Sequence, residues 1–474
     1  MTSTYWTFGT VAILALDWTI RLAALWWIPS RSVPAAARSW LLLVFFLPLL
    51  GLPLYLLIGQ PWLSRERVRR QHEASLAIRE GQLPQRALRW QPPATGAVAE
   101  TVPLAERLGD FMPVSGNAVE LLDDYDASIA ALVADIDSAR ERVHLLYYLM
   151  FDDAVGAAVA AALSRAAGRG VSCRLLLDAI GAKRGYRRFA APLRAAGVEV
   201  HQMLPGGLRW RRSGRMDLRN HRKIAVIDDH VGYVGSQNLA DATFVPGHPN
   251  RELVARTCGP IVSHMEAVFA SDWYLETGER LKVSPVRPVH DADVAAQLLP
   301  SGPAYPFGNA GDMVNALIHL AQHRLVLTTP YFVPDDATLA ALRIAALSGV
   351  DVQLVLSATN NQRLTAWAQH SYYEELLMAG VRIALYQPHF MHAKHLSVDD
   401  SIALVGSINL DIRSFALNAE IGLLCYDRAV VARMHAIEAD YLAHSEMVSL
   451  EQWRARPPWR RSLEGLARLA DSFM

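Results

Sequence analysis

The 474-residue chain is long enough for two or three domains and a large buried core, so it needs no disulfides to hold it together. Lysine plus arginine balance aspartate plus glutamate at 46 each, which excludes a global electrostatic pull toward nucleic acid and leaves any attraction to phosphate local. Three widely spaced cysteines, Cys173, Cys258 and Cys425, speak against a disulfide framework and against a cysteine metal site, and they fit a reducing compartment.

Phe8 to Ile28 and Trp40 to Ile58 are apolar runs, each near the roughly 20 residues that cross a bilayer as a helix. Asp17 and Arg21 interrupt the first and lie four apart, so they share one helix side and pair with each other or face protein. A cleaved signal peptide competes, but a second apolar run follows and no basic segment precedes the first. Residues 1–62 therefore read as two transmembrane helices, at about 8–28 and 40–58. Arg65, Arg67, Arg69 and Arg70 follow the second run, against Arg31 and Arg38 between the two, which favours the cytoplasm for the remainder.

Residues 63–110 read as a linker or surface segment: from about residue 71 the stretch is polar, carries Pro84, Pro92, Pro93 and Pro103, and shows little periodicity. Beyond it, helical and strand patterns alternate. Ala127 to Val143 is helical, Val143 to Met150 strand-like, and Ala154 to Arg169 an alanine-rich helix. Val171 to Asp178 is an apolar run ending in an acid, as a buried parallel strand reads when it delivers a side chain to a sheet end. The pattern restarts with a helix at Asp312 to His323, a strand at Arg324 to Thr329, a helix at Ala337 to Leu347 and a strand at Val350 to Ser357. A helix at Gln362 to Met378 and a strand at Val381 to Tyr386 follow. The class is α/β, with halves at 111–295 and 296–474.

Two stretches share one pattern: His, any residue, Lys, four residues, Asp, six residues, then Gly-Ser-x-Asn. The first supplies His221, Lys223, Asp228, Ser236 and Asn238; the second supplies His392, Lys394, Asp399, Ser407 and Asn409. One such match is weak, but two with identical spacing mark an internal duplication.

On a strand, residues two apart share a face, so His221 projects with Lys223 and His392 with Lys394. A doubled imidazole and ammonium suit a tetrahedral phosphorus centre. The lysines supply positive charge to the non-bridging oxygens, and Asn238, Asn409, Ser236 and Ser407 add neutral hydrogen bonds. One neutral histidine attacks phosphorus while the other, protonated, gives its proton to the departing alkoxide. No metal or other cofactor is required. A carboxylate normally orients such a nucleophile, and Glu252 and Glu420 each follow their half's Asn. Asp228 and Asp399 could serve that end or could anchor the turns they begin.

Arg209, Arg211, Arg212, Arg215, Arg219 and Arg222 crowd the approach to the first motif, as a solvated loop or a contact for anionic headgroups. The C-terminal stretch from Trp453 mixes Arg454, Arg456, Arg460 and Arg461 with Trp459, either an interfacial anchor or a plain surface helix. His144, His370, His389 and His395 read as core or rim residues, and Tyr331 either lines a cleft or packs.

At these motifs the sequence resembles the phospholipase D superfamily, and within it the bacterial cardiolipin synthases. The stretches "LYYLMFDDAVG", "LLLDAIGAK", "RNHRKIAVID", "VGSQN", "TTPYFVPDD", "HAKHLSVDD" and "VGSINLDIRSFALNAE" carry the likeness over nearly the whole chain. The resemblance implies two duplicated halves sharing one active site behind a membrane hairpin, in a bacterial inner membrane. It implies a phosphohistidine on His221, with His392 as acid and then base, although swapped roles leave the same sequence. The implied reaction moves a phosphatidyl group from one phosphatidylglycerol to another and releases glycerol. Gly235-Ser236 in the first half where many relatives have Gly-Gly, Ala182 after Gly181, and "SATNNQR" without an acid depart from the pattern and bear on donor and acceptor preference. A membrane-anchored phospholipase D using water as acceptor is the competing reading. A nuclease is disfavoured by the neutral charge and the membrane helices.

Overall fold

The computed structural model describes residues 2–31, 34–59, 63–205, 214–215, 217–243, 247–284, 288–289 and 292–469. The chain forms two compact units, residues 1–65 with 206–218, and 66–205 with 219–474.

In the first unit the helix Thr2–Trp27 holds the apolar stretch Gly9–Trp27, long and apolar enough to cross a membrane. Asp17 and Arg21 pair along it at 3.0 Å, as their spacing predicts. The second apolar run differs from the single helix expected at 40–58. It folds as two helices, Pro34–Phe46 and Pro48–Ile58, each too short to span as ordinary helix. Pro48 lacks the N–H that would continue the ladder and pushes Leu47 out of helical geometry, to φ −136°. The two helices turn back on each other so closely that a Cβ on Gly51 would lie 2.9 Å from the Val44 backbone. Trp40 and Tyr55 meet edge to face inside this corner.

The second unit is built on one continuous sheet. Its first half contributes β1 (Val114–Leu122), β2 (Arg142–Tyr147), β3 (Ser172–Asp178), β4 (Glu199–Met203), β5 (Arg219–Asn220), β6 (Lys223–Ile227), β7 (Val231–Gly235), β8 (Asn250–Arg251) and β9 (Val254–Cys258). The second half contributes β10 (Val294–Ser301), β11 (Arg324–Thr328), β12 (Phe332–Val333), β13 (Asp351–Ser357), β14 (Arg382–Tyr386), β15 (Phe390–Met391), β16 (His395–Val398), β17 (Ile402–Gly406), β18 (Leu410–Asp411), β19 (Asn418–Cys425) and β20 (Ser445–Met447). The order β14-β13-β11-β16-β17-β19-β10-β1-β9-β7-β6-β2-β3-β4 is a palindrome about the antiparallel β10–β1 junction. The duplication in sequence is thus a pseudo-twofold in space, and the sheet runs unbroken through both halves. Its strands are buried on both faces beneath helices, with Leu145, Leu175, Ile224, Leu327, Leu354 and Leu423 fully inaccessible.

Residues 63–110, expected as a linker or surface segment with little periodicity, are largely helical. They hold the helices Arg65–Gly81 and Ala97–Gly109. The first carries charge on its exposed side, buries Ala74 and Ile78, and is supported by Glu66–Arg70 and Arg69–Glu73 pairs four apart. The second buries Val98, Val102, Ala105 and Leu108 in the core of the second half, despite Pro103 within it. The stretch expected as one helix at Gln362 to Met378 is two, Arg363–Ser371 and Tyr373–Ala379, jointed at Tyr372.

Candidate active site

Short strands bring the two motifs together. β5 pairs in parallel with the start of β19, Asn220 opposite Ala419, and β15 pairs with β8, Met391 opposite Arg251. The next backbone bonds run from His221 N to Ala419 O and from His392 N to Arg251 O, both 2.8 Å. This register sets His221 beside Glu420 and His392 beside Glu252. His221 Nδ1 lies 2.9 Å from Glu420 Oε2, and His392 Nδ1 lies 2.6 Å from Glu252 Oε1. A carboxylate accepts and does not donate, so each Nδ1 carries the hydrogen and each Nε2 keeps its lone pair. The two glutamates singled out in the sequence do contact the histidines, but they are exchanged: each half's carboxylate bonds the other half's imidazole.

The lysines lie two residues on, Lys223 at the start of β6 and Lys394 just before β16. Lys223 Nζ donates to His221 O and Lys394 Nζ to His392 O, each at 2.6 Å. Histidine and lysine do not simply alternate along one strand as expected, because 221–222 and 392–394 are irregular between the short and long strands. Burial pushes both imidazoles down to about 4; the paired glutamates pull them up, and Lys223 and Lys394 each press on both histidines. Burial also pushes the Lys394 ammonium down to about 8 and the Lys223 ammonium well below its usual value. Burial raises Glu252 and Glu420, but His392 with Lys394 and Ser236, and His221 with Lys223 and Ser407, together outweigh it and hold both carboxyls below their usual value. The resting pair is therefore neutral imidazole against carboxylate, twice over.

A family described as "Cardiolipin synthase, PLD-like domain" matches residues 132–273 and 314–440, and one described as "Phospholipase_D-nuclease N-terminal" matches residues 19–60. Cardiolipin synthase A of Serratia proteamaculans is 34% identical over 448 residues, 92% of each chain, and that of Yersinia pseudotuberculosis 35% identical over 452 residues, also 92% of each. The chain belongs to the cardiolipin synthase family. A crystal structure of phosphatidylserine synthase from Haemophilus influenzae shares its fold, with a TM-score of 0.60, 15% identity, and coverage of 79% of this chain and all of that one.

Within this family member, Asn238 sits at the first site with its Oδ1 accepting from Leu149 N at 3.1 Å. Asn409 is buried with its Oδ1 unpartnered. The serines differ from the phosphate contacts expected. Ser407 donates to Glu420, and Ser236 bonds the Leu253 backbone in both directions, so both hydroxyls lie behind the histidines rather than in front. Asp228 and Asp399 stand at the far ends of β6 and β16, five residues from the lysines, roughly 16 Å of strand. Each carboxylate accepts three backbone N–H groups, of Arg140, Glu141 and Arg142, and of Gln322, His323 and Arg324. Both residues adopt left-handed geometry, φ 52° and 47°. Their place is therefore a turn anchor rather than beside the histidines, because each carboxylate faces the N–H groups of its turn at the strand end away from the paired imidazoles.

The arginines divide similarly. Arg209, Arg211 and Arg212 lie outside the described residues. Arg219 is buried against Asp178, and Arg222 bonds both oxygens of buried Asp272 and the carbonyls of Glu420 and Ser301. Neither is a headgroup contact; both brace the sheet end where the motif begins. Sequence reasoning missed Ser414 and Asn418, which donate to Glu420 Oε1, and Asn250, which donates to Glu252 Oε1. It also missed Tyr148, whose ring centre lies 4.9 Å from that of His221 and 5.4 Å from Lys223 Nζ. The tyrosine pair of "LYYLM" at the end of β2 was its signal.

Proposed function

We propose that the protein is a membrane-held phosphatidyltransferase that makes cardiolipin and glycerol from two phosphatidylglycerols. The reading rests above all on the exchanged His–Glu pairs, which set two Nε2 lone pairs beside two buried ammonium groups. One imidazole, assigned to His221, attacks phosphorus, and the P–N bond forms as the bond to the glycerol oxygen breaks. His392, protonated as the anionic diester enters and supplies counter-charge, gives its proton to the departing alkoxide. The primary hydroxyl of a second phosphatidylglycerol then yields its proton to His392 and attacks phosphorus, and the P–N bond breaks. Lys223, Lys394, Asn238 and Asn409 hold the non-bridging oxygens. Residues 111–295 and 296–474 act as two half-sites of one centre. The apolar N-terminal segment holds the chain in a cell membrane, with the arginines after residue 64 favouring the cytoplasmic face.

The test is to supply the purified full chain in vesicles with labelled phosphatidylglycerol and separate the lipids. Cardiolipin with stoichiometric glycerol supports transfer. Phosphatidic acid as the sole product overturns it in favour of hydrolysis.

A further inference from the structure

Helices Lys183–Ala195 and Arg363–Ser371 are equivalent in the two halves, each following the loop at the C-terminal end of β3 or β13. Those loops border the catalytic opening. In the first half Tyr147, beside Tyr148, pairs with Lys223, and β3 ends alongside. In the second half Tyr331 donates to Asn361, and its ring lies 6.1 Å from Phe390, which lies 5.9 Å from His392.

The two equivalent helices present different chemistry. The first opens with Lys183, Arg184, Arg187 and Arg188 exposed, with Asp152 the carboxylate nearest at 3.4 Å from Arg188, and Ile180 half-exposed before it. The second exposes Leu364 and Trp367, three apart on one face. The helix Pro458–Arg468 packs against it through buried Ala467 and through Glu464, 3.7 Å from His370. That C-terminal helix turns Trp459, Leu463 and Leu466 outward at spacings of four and three, Leu466 being 62% exposed. Five large apolar side chains on one flank are costly to leave against water, the other flank carries four exposed basic residues, and nothing in the catalytic pairs explains either.

We propose that this rim docks the catalytic opening on an anionic bilayer. The basic flank meets headgroup phosphates and the apolar flank enters the interfacial layer, independently of the N-terminal helices. The inference deepens the transferase reading, since it brings the opening to the layer where phospholipid headgroups lie.

The full chain is reconstituted in phosphatidylglycerol-containing vesicles with brominated acyl chains, carrying a fluorescent label at Leu466→Cys or Trp367→Cys. Quenching is expected at both positions and not at Asp400→Cys, which stands at the far end of the second-half sheet beside Asp399. Absent quenching, or emission that changes only with protein concentration, as self-association would give, overturns the proposal. In parallel, Leu364→Ser with Trp367→Ser, and Arg184→Glu with Arg187→Glu, should each lower turnover of long-chain phosphatidylglycerol in vesicles about tenfold or more. The same variants should leave turnover of a dissolved short-chain analogue within about twofold. Equal loss on both substrates overturns the proposal. Quenching with phosphatidic acid as product would sink the transferase reading and leave the docking face standing.

Discussion

Replacing Glu420 by glutamine keeps the size of the side chain and removes the charge beside His221. The consequence crosses the pseudo-twofold, since the altered residue is in the second half and the affected imidazole in the first. In the unaltered site the Glu420 carboxylate, 2.9 Å from Nδ1, fixes the hydrogen there and, on the proposed mechanism, leaves Nε2 free to attack. When Nε2 bonds phosphorus the ring becomes cationic, and at an effective dielectric of about 20 two unit charges about 4 Å apart attract by about 4 kcal/mol. Losing that term lowers the rate by about a thousandfold. A glutamine amide that turns its NH2 toward Nδ1 moves the ring hydrogen to Nε2, and a wrong tautomer in a comparable histidine–carboxylate pair costs about ten-thousandfold. The assay is single-turnover transfer from phosphorus-labelled phosphatidylglycerol, quenched to count acid-labile label on protein. Glu420→Gln should form that adduct at least about a thousandfold more slowly while still folding, as circular dichroism would show. A loss below about tenfold in a folded variant would refute the reasoning, because the exchanged carboxylate would then be only structural.

His221→Ala and His392→Ala should each abolish turnover while leaving circular dichroism and melting near the unaltered protein; steady transfer by either sinks the two-histidine mechanism. Asp228→Ala removes the acceptor of three backbone N–H groups and should destabilise by roughly 3 kcal/mol, read as a lower urea midpoint, with the rate per folded molecule unchanged. A selective loss of rate would return Asp228 to the chemistry. His264 is buried with both ring nitrogens unpartnered and pushed by burial down to about 3, whereas the unfolded chain protonates near 6.5. The native state therefore loses stability through this group as pH falls from about 6.5 toward 3. His264→Leu should raise the melting temperature more at pH 5 than at pH 8; an equal or opposite effect refutes the linkage.

The periodic elements and the doubled motif were legible because they are local. The strand at Arg324–Thr328 is set by five residues of β-pattern, and two motif copies at identical spacing need no partner to be noticed. The exchange of glutamates was not legible. Glu420 lies 199 residues from His221 and Glu252 lies 140 from His392, and pairing within each half fits the same letters. Only the register of β5 on β19 and of β15 on β8 decides it. The helix Ala97–Gly109 was hidden by Pro103 and neighbouring prolines, although Val98, Val102 and Ala105 already kept helical spacing. Ser407 looked like a phosphate ligand because a hydroxyl beside a motif has no visible direction in sequence; in the fold it faces Glu420.

The exchange also bears on the order in which the chain becomes reactive during synthesis. A ribosome-bound chain that has folded residues 111–295 presents His221 with no carboxylate on Nδ1 and Glu252 with no imidazole to hold. Neither pair exists until β15 and β19 emerge and zip onto the earlier half. On the proposed mechanism, a nascent or truncated product therefore lacks the carboxylate that orients either imidazole.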